Sequence, residues 1–527
     1  MHTNPVLTPS TARTRHQQHV VVMLDAACEL AFCQLILERT GIVLQCHQLT
    51  NLRDTVSRGC ERFAYRDAEQ YLLALQQSFS LTPSLEYLIA GVTVGESYFF
   101  RDSDQTDLLR YQLLPEMIAA KRASGNRSLR IWSAGCSQGQ EIYTVAILLR
   151  ELIPDIDQWH IHLIGTDINS EVVAKAICGR YSEWSFRATP TPLLERWFTR
   201  VGAEYEIQPE IKRMVRFGYL NLTVDVYPSI LSETNALDLI LCRNVFIYLD
   251  QQAVKRSMAQ YAHCLVARGV LMLGASDPIY GQQVDLELVQ NERAGYFRKV
   301  DEFSLPLPIY QFPPVALPLE KFYAREKMPL KPAPPRVSLP EKRFKPIAVE
   351  CKDMLDDEML NIVRLLNAAD WHEALVQVDV ALQHGKASSN LWQIKAKVLA
   401  NTGNLALALE ACESSLQLDT VNKSTYFLMG LILAELDRLP EAAEAFRKTL
   451  YLDHAFLEAH YELGMLRVRA KDLSGAFKSL ENAFRLAKKG DPEYKLHNAA
   501  GMTYGRFAQV LENEMEMLRG TKSASSR

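Results

Sequence analysis

In IWSAGCSQGQEIY (131–143) an apolar run ends in a turn with two glycines, and a helix begins near Gln140. Small residues let a backbone approach a ligand, and a helix N-terminus favours negative charge. Glu141 stands just inside that helix, where its carboxylate can pair with an ammonium group or simply complement the helix dipole. Asp167 closes the next apolar run, HLIGTD (162–167). An acid at the carboxyl end of the second strand of a doubly wound sheet suits the two hydroxyls of a ribose. The same residue can instead cap the helix that starts near Ser170. Together the two acids describe a ligand in which an amino acid is joined to a nucleoside. S-adenosylmethionine fits that description better than NAD, whose pyrophosphate asks for a glycine-richer turn.

The frame these acids need is visible in the surrounding pattern. Short apolar runs (SLRIWSAG, HIHLIGTD, MVRFGYL, ALDLILCR, GVLMLGAS, GYFRKV) alternate with helical stretches such as Glu141–Leu152 and Glu171–Ile177. That alternation predicts an α/β Rossmann-like domain with a mostly parallel sheet over 93–300. Residues 20–92 show apolar spacing of helical period, in Leu30–Leu37 and Tyr71–Leu75, and predict an N-terminal helical domain. Residues 301–354 carry nearly half of the 23 prolines and read as an extended linker. From 355 to 520 a repeat takes over. Ala374, Ala408, Ala442 and Ala476 stand 34 residues apart, followed at four residues by Val378, Cys412, Phe446 and Leu480. Leu382, Leu416 and Leu450 continue the ladder, and Gly430 and Gly464 share the period. A 34-residue period of small and large apolar positions is the tetratricopeptide pattern, an all-α solenoid. Leu496–Leu518 is expected to cap it.

A chain of 527 residues, with 58 basic and 62 acidic side chains and a net charge of −4, has no global pull towards nucleic acid or an acidic membrane. Its length argues for about three folded units. No apolar run approaches the ~18 residues of a membrane span, so direct membrane insertion is not expected. Ten cysteines occur without a CxxC pair or zinc-ligand spacing. No metal site is expected, and free thiols in a reducing, cytoplasmic setting are.

Five ordered stretches make the chain resemble the CheR-type methyltransferases: GESYFFRD (95–102), WSAGCSQGQEIY (132–143), GTDIN (165–169), NL (221–222) and LILCRNVFIYLD (239–250). The resemblance covers roughly 20–300. It implies methyl transfer from S-adenosylmethionine to glutamates of methyl-accepting chemotaxis-type receptors, leaving S-adenosylhomocysteine. It further implies that Glu141 holds the methionine part and Asp167 the ribose. Asn221 and Leu222 would lie beside the adenine, and Arg243 and Asn244 would open the last cofactor loop. Ser97 stands where the family often has Thr. Arg101 and Tyr248 match the two residues placed near the transferring methyl. By the residues alone, Arg101 can equally form a surface ion pair with Asp102 or Asp104, and Tyr248 can be a core aromatic. GASD (274–277) stands where the family commonly has GHSE.

Arg53, Arg58, Arg62 and Arg66 recur at spacings of five, four and four, which on one helix makes a basic stripe. The resemblance implies that an acidic receptor bundle docks there; a solvated face with Asp54, Glu61 and Asp67 is the plainer reading. Residues 181–213 interrupt the sheet pattern, and the resemblance implies a small insertion of the kind that binds a receptor's C-terminal peptide by strand addition. The repeats are expected to bind a further protein partner or to regulate the enzyme, with recruitment to membrane receptor arrays. The alternative is a non-catalytic, cofactor-sensing scaffold acting through the repeats.

Overall fold

The computed structural model describes residues 24–78, 81–280, 285–290, 294–300, 357–384, 387–492, 496 and 503–524. The expected linker 301–354 and residues 20–23 lie outside the described residues. Four helices come first: α1 (Ala26–Thr40), α2 (Leu49–Arg62), α3 (Ala68–Gln77) and α4 (Pro83–Val92). Their starts are written in the chain. Asp25, Asp67 and Thr82 each accept a backbone N–H at the N-cap, and Pro83 opens α4. Phe32, Leu52, Val56, Tyr71 and Leu88 form their shared core.

Next come α5 (Ser103–Leu108), α6 (Leu114–Ala123), β1 (Ser128–Ala134), α7 (Gln140–Leu152), β2 (His160–Asp167) and α8 (Ser170–Cys178). The interruption forms its own unit: β3 (Arg180–Ser182), α9 (Thr191–Trp197), β4 (Phe198–Val201), β5 (Glu204–Ile207) and α10 (Pro209–Lys212). These strands make an antiparallel sheet in the order β3-β5-β4. The main sheet resumes with β6 (Val215–Tyr219), β7 (Leu237–Cys242), α11 (Gln251–Cys264), β8 (Leu265–Leu273), β9 (Leu286–Gln290) and β10 (Gly295–Lys299). Its order is β6-β2-β1-β7-β8-β10-β9. The first five strands are parallel, and β10 runs antiparallel to both β8 and β9. A parallel sheet covered on both faces is built from continuous apolar runs, and all six residues of β7 are buried. The link from β6 to β7, residues 220–236, holds no helix.

The repeats are four helical hairpins. Their first helices are α12 (Asp357–Asn367), α14 (Ser389–Asn401), α16 (Lys423–Glu435) and α18 (Leu457–Arg469). Their second helices are α13 (Trp371–Gln383), α15 (Leu405–Leu418), α17 (Leu439–Leu452) and α19 (Leu473–Lys489). A last helix, α20 (Tyr504–Ala524), packs on α19 and carries the capping role expected of 496–518. The periodic alanines are fully buried. A Cβ on Gly430 would meet the Phe446 ring at 2.5 Å, and one on Gly464 would meet Leu480 at 2.8 Å. The small column therefore exists because the large column fills it. A second periodic feature lies in the hairpin turns: Ala369, Gly403, Asp437 and Lys471 all have positive φ. Only one of the four is a glycine, so composition does not announce it.

Candidate functional site

The register of β1 on β2, with Ala134 opposite Thr166, ends both strands together. The turns that follow are therefore neighbours, and the N–H groups of Gly135 and Cys136 both donate to the Thr166 carbonyl, at 2.8 and 2.9 Å. Gly135 has φ of +78°, and a Cβ there would come within 2.4 Å of Val245. Glycine is required at this point by conformation and by space.

Both acids face the cavity beyond these turns. Asp167 accepts from the Ser137 N–H through one oxygen and from the Asn169 N–H through the other, each at 2.9 Å. The cap of α8 is Asn169, whose side chain takes the N–H groups of Glu171 and Val172, so Asp167 is released from that alternative. Burial pushes the Asp167 carboxyl above the ordinary carboxylate range, and the Asn169 and Ser137 N–H groups pull it back. Glu141 accepts from the Ser133 hydroxyl at 2.7 Å and from Arg243 at 3.3 Å. Burial pushes its carboxyl up as well, opposed by Arg243 and Ser133.

Arg243 is an organiser. Besides Glu141, its guanidinium donates to the Gln105 side chain and, at 2.6 Å, to the carbonyl of Arg101. Gln105 in turn donates to the Leu273 carbonyl at 2.7 Å, at the end of β8. Phe100 and Asp102, on either side of Arg101, have φ of +56° and +61°. Left-handed backbone at non-glycine residues is costly and persists where surrounding bonds impose it; here Arg243 and the Thr106 hydroxyl, both on the Arg101 carbonyl, do so. Arg101 itself donates to the Glu96 carbonyl at 3.1 Å and lies near the Tyr98 ring; no ion pair with Asp102 or Asp104 forms among the described residues. Tyr248 sits in a short 3₁₀ turn, Phe246–Tyr248, and lines the same cavity instead of joining the core. Burial raises its phenol pKa, with Arg101 pulling the other way, so the hydroxyl stays protonated and can donate.

Ser97, Asn221, Leu222 and Asn244 also line the cavity. The Asn221 side chain donates to the Arg39 carbonyl and accepts from Thr223, so its amide is spent on holding α1 to this loop. Asn244 has φ of +59° and gives its N–H to Asp277. Asp277 also takes the N–H groups of Gly274 and Ile247 and so ties the end of β8 to the loop after β7. Its place in GASD, a departure from the family's GHSE, conceals that work. The N-terminal helices contribute a wall that the sequence did not announce: Thr40, Ile42, Gln48 and Val92 line the cavity. Ile42 bridges to Leu249, and the Val43 N–H donates to the Tyr248 carbonyl at 2.8 Å.

The basic stripe needs correction. Helix α2 ends at Arg62, and Ala64 turns the chain with φ of +57°, so Arg66 lies beyond the helix. Arg53 pairs with Glu29 and Arg66 with Asp67, while Arg62 lies over the Phe63 and Tyr87 rings. Arg58 lines a shallow depression with Asp54 and Tyr87. All four arginines are exposed.

The cavity suits S-adenosylmethionine. It combines two carboxylates, the apolar residues Ile168, Leu220 and Leu222 for a base, and a phenol for the methyl end. Among the described residues no His, Cys, Asp and Glu group is arranged for a metal, and no helix is long and apolar enough to cross a membrane. The nine described cysteines are unpaired, with Cys46 and Cys178 exposed.

Residues 95–294 match the family model of the CheR methyltransferase SAM-binding domain. The chemotaxis protein methyltransferase of Borreliella burgdorferi is 30% identical over 221 residues, covering 42% of this chain and 76% of that protein. Chemotaxis protein methyltransferase 1 of Pseudomonas aeruginosa is 29% identical over 276 residues, covering 51% and 96%. Among solved structures, MamA from Desulfovibrio magneticus is 25% identical, covers 25% of this chain and 75% of its own, and has a TM-score of 0.24.

Proposed function

Because this chain belongs to the CheR family of chemotaxis protein methyltransferases and uses S-adenosylmethionine, we propose that it methylates glutamate side chains of methyl-accepting chemotaxis-type receptors. The observation that carries the reading is one cavity lined by Glu141, Asp167, Arg101 and Tyr248 together.

A glutamate side chain has a reference pKa of about 4.3 and is ionised at neutral pH, so no strong base is needed. When bound, S-adenosylmethionine supplies an electrophilic methyl on a sulfonium that leaves as a neutral thioether. The protein's task is alignment, which can lower a barrier by roughly 7–11 kcal/mol at best. Asp167 takes the ribose hydroxyls, and Glu141 takes the amino group. Leu222 and the backbone of Asn221 flank the base. Ser97, Asn244 and Arg243 complete the walls, Arg243 by fixing Glu141 and the Arg101 carbonyl. Arg101 grips one oxygen of the acceptor carboxylate and leaves the other free to attack. The Tyr248 hydroxyl orients the acceptor by donating a hydrogen bond.

The exposed arginines 53, 58 and 62 of α2, with Arg66 just past its end, form the receptor-facing surface. The unit β3-β5-β4 offers strand edges to a receptor tail. The repeats add a protein-binding or regulatory function. The domains are taken as 20–92, 93–300 with the insertion 181–213, and 355–520 after the linker. Transfer of a tritiated methyl group from S-adenosylmethionine to receptor cytoplasmic fragments tests the reading. Base-labile label on receptor glutamates is expected. Cofactor binding without transfer would overturn it in favour of a scaffold.

A further inference from the structure

The link from β6 to β7 does two jobs at its two ends. Its first residues, Leu220, Asn221 and Leu222, line the cofactor cavity. Its later part, from Val226 to Ala236, is seated on the repeats. Ile230 is 2% exposed and packs with Ala396, Leu399, Phe427 and Leu431, which lie on the first helices of successive hairpins. Its N–H donates to the Asn401 side chain at 2.9 Å. Leu231 lines the same groove, and Val226 joins Trp371 and Val398 in a separate cluster. Arg130, a buried residue of β1, donates to the carbonyls of Glu233 and Asn235 at 3.0 and 3.1 Å and forms an ion pair with Glu435 of α16.

A doubly wound sheet ordinarily buries this face under a crossover helix. Here the link carries none, and His160, His162, Ile164 and Thr166 of β2 face the repeats across a cavity shared with α16, α18 and α20. The repeats therefore stand in for the missing helix, and the groove they would offer a partner already holds a segment of the same chain. The two ends of that segment are stiffly joined. The Tyr227 hydroxyl donates to the Leu222 carbonyl at 2.9 Å, and the fully buried Tyr227 ring meets Trp132 of β1 edge-on.

We propose that the repeat groove is a docking surface whose resident occupant is the chain's own segment 226–236, and that its occupancy is coupled to cofactor binding through Leu220–Leu222. An outside partner enters by displacing Ile230 and Leu231. The chemistry it must present is a tight turn with two adjacent apolar residues and a free backbone N–H for Asn401, as Ile230 and Leu231 present now. Binding of such a segment loosens the adenine side of the pocket, and the cofactor, by linkage, disfavours the partner to the same degree. The inference rests on the cofactor cavity and not on the identity of the methyl acceptor.

Calorimetry of S-adenosylhomocysteine on the full chain tests it, with Ile230→Asp on the segment side and Asn401→Ala on the repeat side. Neither residue lines the cofactor cavity. Each variant should bind the product about fivefold more weakly or worse. Amide exchange across 220–236 should accelerate in both. The double variant should be no weaker than the weaker single one, because both break one contact. A variant that keeps its helical content and binds with wild-type affinity overturns the coupling. Failure of the wild-type chain to bind the product would instead overturn the cofactor reading, and the proposal with it.

Discussion

Asp167 offers the most direct test of cofactor recognition, because backbone N–H groups of Ser137 and Asn169 hold its carboxylate in the cavity wall. Replacing it with alanine removes a charged acceptor worth about 1.5–3 kcal/mol to a hydroxyl donor. Affinity for S-adenosylhomocysteine should fall at least about tenfold in calorimetry; an unchanged value would remove the ribose role. Arg101 calls for a different measurement. It lies between two left-handed residues, held by its own carbonyl, while its guanidinium donates to the Glu96 carbonyl. Arg101→Ala should lower kcat by about a hundredfold, the scale of a lost charge-stabilising donor. Product affinity should change far less. Turnover equal to that of the unaltered enzyme would exclude the residue from the mechanism.

At the scale of elements, the loop after β7 depends on Asp277, which accepts the backbone N–H groups of Asn244 and Ile247 in that loop and of Gly274 just past β8. Asp277→Ala leaves those donors unpaired, at about 1–3 kcal/mol each. Denaturant unfolding should register a loss of about 3 kcal/mol or more, and the Arg243–Tyr248 loop should lose its shape, seen as a raised KM for cofactor. A stability within error of the wild type would show the loop is held by other means. The same loop marks what sequence could and could not disclose. Strands β1, β2, β6, β7 and β8 coincide with apolar runs because both faces of a parallel sheet are covered. Strand β9 reads LELVQ, with one charged residue and three of its five residues exposed, because it is the antiparallel edge of the sheet. Glu141 was legible from its place in the first turn of the helix after β1, and Asp167 from its place at a strand end. Asp277 was not, since an acceptor of backbone N–H groups carries no signature in spacing. The wall from Thr40 to Gln48 and the seat of Ile230 were equally hidden, because each depends on surfaces meeting across long stretches of sequence.

For the whole molecule, the junction of repeats and sheet carries a titration of its own. Glu462 of α18 lines the shared cavity, and burial pushes its carboxyl up to about 7, with Arg216 opposing and Glu233 and Glu435 adding. Unfolded, it titrates near ~4.3. Between those values the native chain holds the extra proton, so this group's contribution to stability is complete below the lower value and is lost as pH rises through the upper one. His160 works in the opposite direction. Burial, with Arg469 adding, pushes it down to about 4, so the native chain holds fewer protons than the unfolded one and stability grows with pH up to the ordinary histidine range. Over the pH interval the two share, they offset each other, and a melting curve of the unaltered chain would hide both. The informative quantity is the difference in melting temperature between Glu462→Gln and wild type, from which His160 cancels. That difference should be near zero at pH 4, widen in favour of the glutamine variant up to about pH 7, and stay constant above it. A difference that does not vary with pH would mean that Glu462 is charged throughout and that water reaches the junction freely.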